Sequence, residues 1–205
     1  MSNVFDAIKE RRSIRKYQPQ TVREEVIKEI LAAAGWAPSA HNAQPWRFIV
    51  LTDNSVKRKL AEDMADSWAT DMTKDGLKIE AEVRNMRVER FAAAPVLIVA
   101  CLTMDGMNRF SEEKKQNYER DLAMQSLGAG MQNVLLAAYA KGLGACWFCA
   151  PSFCKETVRT VLKIPREVDP EALILMGYPA ENPSVPNKKQ LEDYCFKNKW
   201  AEKFR

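Results

Sequence analysis

The residues most able to do chemistry crowd the stretch "RRSIR": Arg11, Arg12, Ser13 and Arg15, with Lys16 following. Guanidinium groups this close repel one another unless an anion sits among them. Arginine is planar, permanently charged and forks onto phosphate or carboxylate oxygens, and a serine hydroxyl adds a further donor. A terminal phosphate would settle such a cluster. The competing reading is a solvated basic end of a helix, where cations also suit the negative pole of the dipole.

Three further segments carry polar chemistry. "APSAHNAQPWRF", residues 37–48, is dense in small donors and acceptors (Pro38, Ser39, His41, Asn42, Gln44), and its prolines hold its shape. Such a loop can hydrogen-bond a polyol or a heterocycle, or it can be a rigid connection with Trp46 tucked into the core. His41 is the only histidine, so no multi-histidine metal site exists, and a hydrogen-bonding role is the simplest one. "CWFC", residues 146–149, has redox or zinc spacing, but it falls on an expected strand. Residues three apart there face opposite ways, which favours two separate thiols over a metal or dithiol site. "GYPAENPSVPNKKQLED", residues 177–193, is an extended proline-stiffened stretch that delivers Lys188 and Lys189. No Ser-His-Asp or Cys-His nucleophile system is recognisable.

The elements that must position these segments follow from periodicity. A first helix starts at Asn3, a good N-cap, and is expected to bury Val4, Phe5 and Ile8. A second starts at Thr21, with Val22, Val26, Ile27, Ile30, Leu31 and Ala34 on its apolar face, and Gly35 and Pro38 end it. Residues 48–51 read as a strand. Asp53 then caps a helix to about residue 70, and residues 71–94 are charged and partly helical. "VLIVACL", residues 96–102, reads as a strand buried on both faces. Residues 118–141 form a long helix, apolar almost all round and suited to a subunit interface. A short strand at 145–149, a helix capped by Ser152 and a strand at 172–178 complete the order. Helices come first, then strands separated by helices, which points to an α+β sandwich. No strand runs into a Gly-x-Gly-x-x-Gly turn, so this is not a plain dinucleotide fold.

The bulk properties set the frame. The 205 residues fit one domain. With 46% hydrophobic and 28% charged residues and a mean hydropathy of −0.37, the chain reads as globular and soluble. The net charge of +4 is spread along the chain and does not indicate nucleic-acid binding. The longest apolar run, Phe91 to Leu102, is too short to cross a membrane and contains Pro95. Five cysteines without a secretory signal suggest free thiols in the cytoplasm.

Taken in order, "RRSIR", "APSAHNAQPWRF", "GLGACWFCAP" and "GYPAENPSVPNKK" resemble the FMN-dependent nitroreductase family over about residues 3–193. The resemblance implies a three-layer sandwich, a mixed sheet flanked by helices, with the long helix in the interface of an obligate homodimer. It implies tightly but non-covalently bound FMN, shared between subunits, and NAD(P)H as electron donor. Arg11 and Ser13 would hold the phosphate and ribityl end, aided by Arg12, and Arg15 would lie at the pyrimidine edge of the flavin. Lys188 or Lys189 would match the family's C-terminal phosphate ligand. Pro38, Ser39 and Asn42 would come from the other subunit. Cys149 and Ala150 lie where the family's backbone approaches the ring; some relatives have an acid and a glycine there, so this chain's contact would be through backbone alone. Residues from about 190 to 205 would wrap the partner subunit.

The implied activity is a two-step, ping-pong reduction of a nitroaromatic, quinone or other conjugated electrophile. With a fixed guanidinium stabilising charge at the flavin edge, no side-chain acid or base is needed, and no metal. A second reading keeps the cofactor but changes the reaction: reductive dehalogenation, flavin fragmentation or reduction of a biosynthetic intermediate. A third, from another class, takes the basic, aromatic tail "KNKWAEKFR" as part of a nucleic-acid-binding module.

Overall fold

The computed structural model describes residues 3–204. Along the chain run α1 (Val4–Glu10), α2 (Glu24–Ala34), β1 (Trp46–Leu51), α3 (Asn54–Lys74), α4 (Ala81–Ala92), β2 (Val96–Thr103), α5 (Glu113–Ala140), β3 (Gly144–Phe148), α6 (Lys155–Leu162) and β4 (Val168–Gly177). The apolar run of β2 is buried at all eight positions because helices cover both faces of the sheet. Val96, Ile98, Ala100 and Leu102, with Ala172, Ile174 and Met176 of β4, pack towards α2 and α5. The alternate residues Leu97, Val99, Cys101, Leu173 and Leu175 pack towards α3, α4 and α6. This two-residue alternation makes the three expected layers. Each large apolar side chain so buried stabilises the fold by about 1.5–3 kcal/mol.

The strands lie in the order β1-β2-β4-β3, and every neighbouring pair is antiparallel. The parallel part of the expected mixed sheet shrinks to one bridge, Ser13 beside Ala145. Strand direction is invisible in the sequence, because a connecting helix of any length can return the chain either way. A bulge in the β2–β4 pairing sets Ala100 against Ala172 and Cys101 against Pro170. Glu171 is thereby skipped, and Pro170 sits where a ladder donor is dispensable. The freed Glu171 carboxylate is buried and accepts from Arg120 (2.7 Å), Lys155 (2.6 Å) and Ser152 Oγ (3.0 Å). Ser152 therefore serves this network and caps no helix; α6 starts after Cys154 without a side-chain cap.

Asn3 caps α1 as expected, in a reciprocal box with Asp6. The expected burial of Val4, Phe5 and Ile8 does not occur: they are 60%, 67% and 52% exposed, and Ala7 alone is buried. The seven-residue helix packs mainly on α5, and its apolar stripe stays open in the single chain. Asp53 caps α3, which runs four residues past its expected end. The residues from 196 to 203 fold back on themselves, with the rings of Phe196 and Trp200 4.8 Å apart. Met1 and Ser2, and Arg205 at the end of the expected arm, lie outside the described residues.

Candidate functional site

The arginine segment is held by the sheet. Ile14 N donates to Ala145 O at 3.1 Å, Gln18 N to Tyr178 O at 2.9 Å, and Ala180 N to Lys16 O at 2.9 Å. Residues 13–18 thus lie beside β3 and the exit of β4. The approach is so close that a Cβ on Gly144 would meet Ile14 Cβ at 2.6 Å. Tyr17 anchors the segment from below, its hydroxyl donating to Ile14 O at 2.5 Å, and burial pushes its ionisation well above the ordinary phenol value. Burial likewise raises the Cys146 thiol, which Arg15, a hydrogen bond with Ser13, and Arg11 partly pull back.

Two acids stand near the cluster: Glu10, which accepts from the Tyr139 hydroxyl at 2.5 Å, and Glu181, which does not neutralise a guanidinium by contact. Glu181 Oε1 accepts from the backbone amides of Arg15 (2.5 Å) and Lys16 (3.1 Å). It fixes the path of the chain and leaves the side-chain charges available. Arg12 Nη1 donates to the Lys9 and Arg11 carbonyls at 2.7 and 2.9 Å, closing the end of α1. So the helix-end reading of the cluster holds for Arg12's hydrogen bonds. Arg15 Nη1 donates to Ser13 O at 3.2 Å. Among the described residues none of Arg11, Arg12, Arg15 or Lys188 forms an ion pair within 4.0 Å.

These side chains line one cavity of about 760 Å³. Arg11, Arg12, Ser13 and Arg15 form one side, and the extended stretch 183–188, ending in Lys188, forms another. Lys189 does not line it. Pro38, Ser39 and Asn42 do not reach it from the same chain, and neither do Cys149 and Ala150.

The 38–44 loop is built separately. Ser39 Oγ accepts from Gln44 N, and Ala40 N donates to Ser126 Oγ of α5, both at 3.1 Å. His41, Asn42 and Gln44 have φ of 56°, 54° and 48°, a left-handed conformation that non-glycine residues rarely share so densely. His41 Nε2 lies 3.2 Å from Glu119 Oε2, and Asn108 N donates to the same oxygen at 3.1 Å. Glu119 is buried on α5, and Trp46 packs over Gly130 of the same helix. The strained loop is therefore fastened to α5 at two levels. Cys146 is buried in β3 while Cys149 is exposed beyond its end, so the two thiols meet different surroundings.

Sequence reasoning missed Glu181 and Glu119. Glu181 stands inside a quoted motif, yet nothing in its spacing announces a bond to backbone more than 160 residues away. Glu119 reads as one more exposed charge on a long helix.

A Methanothermobacter thermautotrophicus protein named as an NADH dehydrogenase/NAD(P)H nitroreductase is 35% identical over 94% of this chain and 88% of its own. Iodotyrosine deiodinase 1 of Rattus norvegicus is 28% identical over 91% of this chain and 65% of its own. Among solved structures, a BluB-like flavoprotein from Clostridium difficile 630 superposes with a TM-score of 0.81 at 26% identity, covering 97% of this chain and all of that one. Residues 8–178 match the Nitroreductase family, a span that runs from the helix before the arginine cluster to the end of the last strand. With the motifs in order, the sandwich in place and four-fifths of the chain matched, this protein belongs to the nitroreductase family.

Proposed function

We propose that this family member is a cytoplasmic, homodimeric, FMN-dependent oxidoreductase. It takes electrons from NAD(P)H and passes them, in a two-step cycle, to a small conjugated electrophile such as a nitroaromatic or quinone. The observation that carries the proposal is the cavity that gathers Arg11, Arg12, Ser13, Arg15 and Lys188 while leaving their charges without carboxylate partners. Unneutralised guanidinium groups in a concave site fit a phosphate, and a volume of about 760 Å³ leaves room for a larger body attached to it.

Arg11, Ser13 and Lys188 hold the phosphate and the ribityl hydroxyls. Arg12, already spent on the α1 carbonyls, adds field more than hydrogen bonds. Arg15 would face the pyrimidine edge of the cofactor, where its fixed charge would stabilise added negative charge. The bound flavin supplies two-electron transfer at its ring. Cys149 and Ala150 approach that ring through their backbone. The partner subunit's Pro38, Ser39 and Asn42 complete the pocket, which accounts for a strained loop that does not line the arginine cavity of its own chain. The uncovered stripe of Val4, Phe5 and Ile8 supports a dimer for the same reason.

The test is the absorption spectrum of the purified protein before and after anaerobic NAD(P)H. The proposal requires a flavin band near about 450 nm that bleaches with the nicotinamide. Colourless protein that cannot be reconstituted with FMN would overturn it. The similarity to iodotyrosine deiodinase 1 favours a second reading, reductive dehalogenation on the same cofactor. Nitroaromatic turnover supports the first reading; bleaching without it, together with halide release from a halogenated aromatic, supports the second.

A further inference from the structure

A second cavity, of about 300 Å³, lies between α3, α4 and the short turn Ala150–Phe153. Its wall is mostly apolar, with Met64, Trp68, Met72 and Phe153, and one cation enters it, Arg87. The Arg87 guanidinium lies 4.5 Å from the centre of the Trp68 ring and 6.0 Å from that of Phe91. Its Nε is buried and has no hydrogen-bond partner. Among the described residues no carboxylate pairs with it. Asp71, on the same wall, is held by Lys74 at 3.0 Å. Loss of solvent, and then Arg90, lower the guanidinium's affinity for its proton, while Cys154 acts the other way. A buried donor without a partner is costly, and native structures rarely keep one without a reason. The Arg87 guanidinium carbon lies over the Trp68 ring, a contact that holds the group at the cavity wall without using its N–H groups.

We propose that this cavity binds a small aromatic carboxylate, its carboxyl group on Arg87 and its ring among Trp68, Met64, Met72 and Phe153. The single cation and the neighbouring Asp71 suit a monoanion and disfavour a phosphate, which needs more donors. The methionines are adaptable walls for a flat ring. Ala150 also lines the cavity and is one of the two residues set against the flavin ring in the proposed function. The carboxylate is therefore the anchoring group of the electron acceptor. That last step rests on the flavin reading; the binding itself does not.

The test is calorimetric titration of the purified protein with para-nitrobenzoate and with its neutral isostere para-nitrobenzamide. The carboxylate should bind about tenfold more tightly than the amide. R87Q should bring the two to parity, and R87K should keep part of the preference. Equal binding of both probes by the wild type overturns the proposal without any variant, and so does a preference that survives in R87Q. The flavin content of the same sample keeps the two readings apart. Colourless protein whose carboxylate preference disappears in R87Q retains this site and loses the cofactor; yellow protein without the preference does the reverse.

Discussion

Replacing Gly144 by alanine places a methyl group 2.6 Å from both Cβ and Cγ1 of Ile14. Ordinary contact begins at 3.4 Å, so the two segments must part by about 0.8 Å. Rotating Ile14 does not help, because its Cβ moves only with the backbone. The strain therefore passes into residues 13–15, which are pinned to β3 through Ile14 N and Ala145 O. Overpacking of this kind costs about 1–3 kcal/mol. Because the displaced segment carries Ser13 and Arg15, FMN affinity should fall by about ten- to hundredfold. Gly142 is the control. A Cβ there meets nothing within 4 Å, but its φ of +74° penalises alanine by about 1 kcal/mol. The assay is fluorescence titration of apoprotein with FMN, paired with thermal melting. G142A should lower the melting temperature and leave affinity unchanged, whereas G144A should lose both. Wild-type affinity in G144A, or an equal loss in G142A, would refute the claim that the close approach at Gly144 sets the arginine segment.

Other outcomes follow from the same structure. Glu171→Gln removes one of two carboxylates from Arg120 and Lys155, which keep Asp169, so urea unfolding should show a loss of about 1–3 kcal/mol; a change below about 0.5 kcal/mol contradicts the network's role. Burial holds the Cys101 thiol up at about 12, against 9.0 ordinarily. The unfolded chain therefore releases that proton first, so this contribution to stability is full below pH 9.0 and shrinks as the pH rises towards 12. Denaturation series across that range should show a shallower decline in Cys101→Ala; an unchanged slope rejects the assignment. Lys57 is buried and donates to the Ala94 and Pro95 carbonyls at 2.7 and 3.1 Å. Lys57→Met should cost about 1–3 kcal/mol in chemical denaturation, and a neutral result means the loop before β2 rearranges.

What the sequence made legible was whatever one periodicity or one side-chain chemistry decides. "VLIVACL" has to be covered twice wherever it lies, and Asp53 has to cap whatever helix follows it. The direction of the strands is set by how the intervening helices return the chain, α3 and α4 between β1 and β2 and α6 between β3 and β4, so the antiparallel sheet was not readable. Val4, Phe5 and Ile8 show the limit of an amphipathic pattern: it says that a face will be covered, not that the same chain covers it. Arg12 illustrates a competition between two sound arguments, anion binding and helix termination, that only geometry decides. The arginine cluster was legible because guanidinium groups cannot be neighbours without consequence. Its supports were not, since Glu181 and Gly144 act through contacts distant in sequence. The left-handed backbone at His41, Asn42 and Gln44 likewise carries no compositional mark beyond a loop rich in small polar residues.

The account stands on the arginine segment gripping a phosphate, and the sharpest measurement compares FMN with riboflavin, which lacks it. Titrated into apoprotein, FMN should bind at least about a hundredfold more tightly than riboflavin, as two charge-assisted contacts require. Arg11→Ala should erase most of that difference while leaving riboflavin affinity near its wild-type value. Equal affinity for the two flavins, or a preference untouched by the loss of Arg11, contradicts the account.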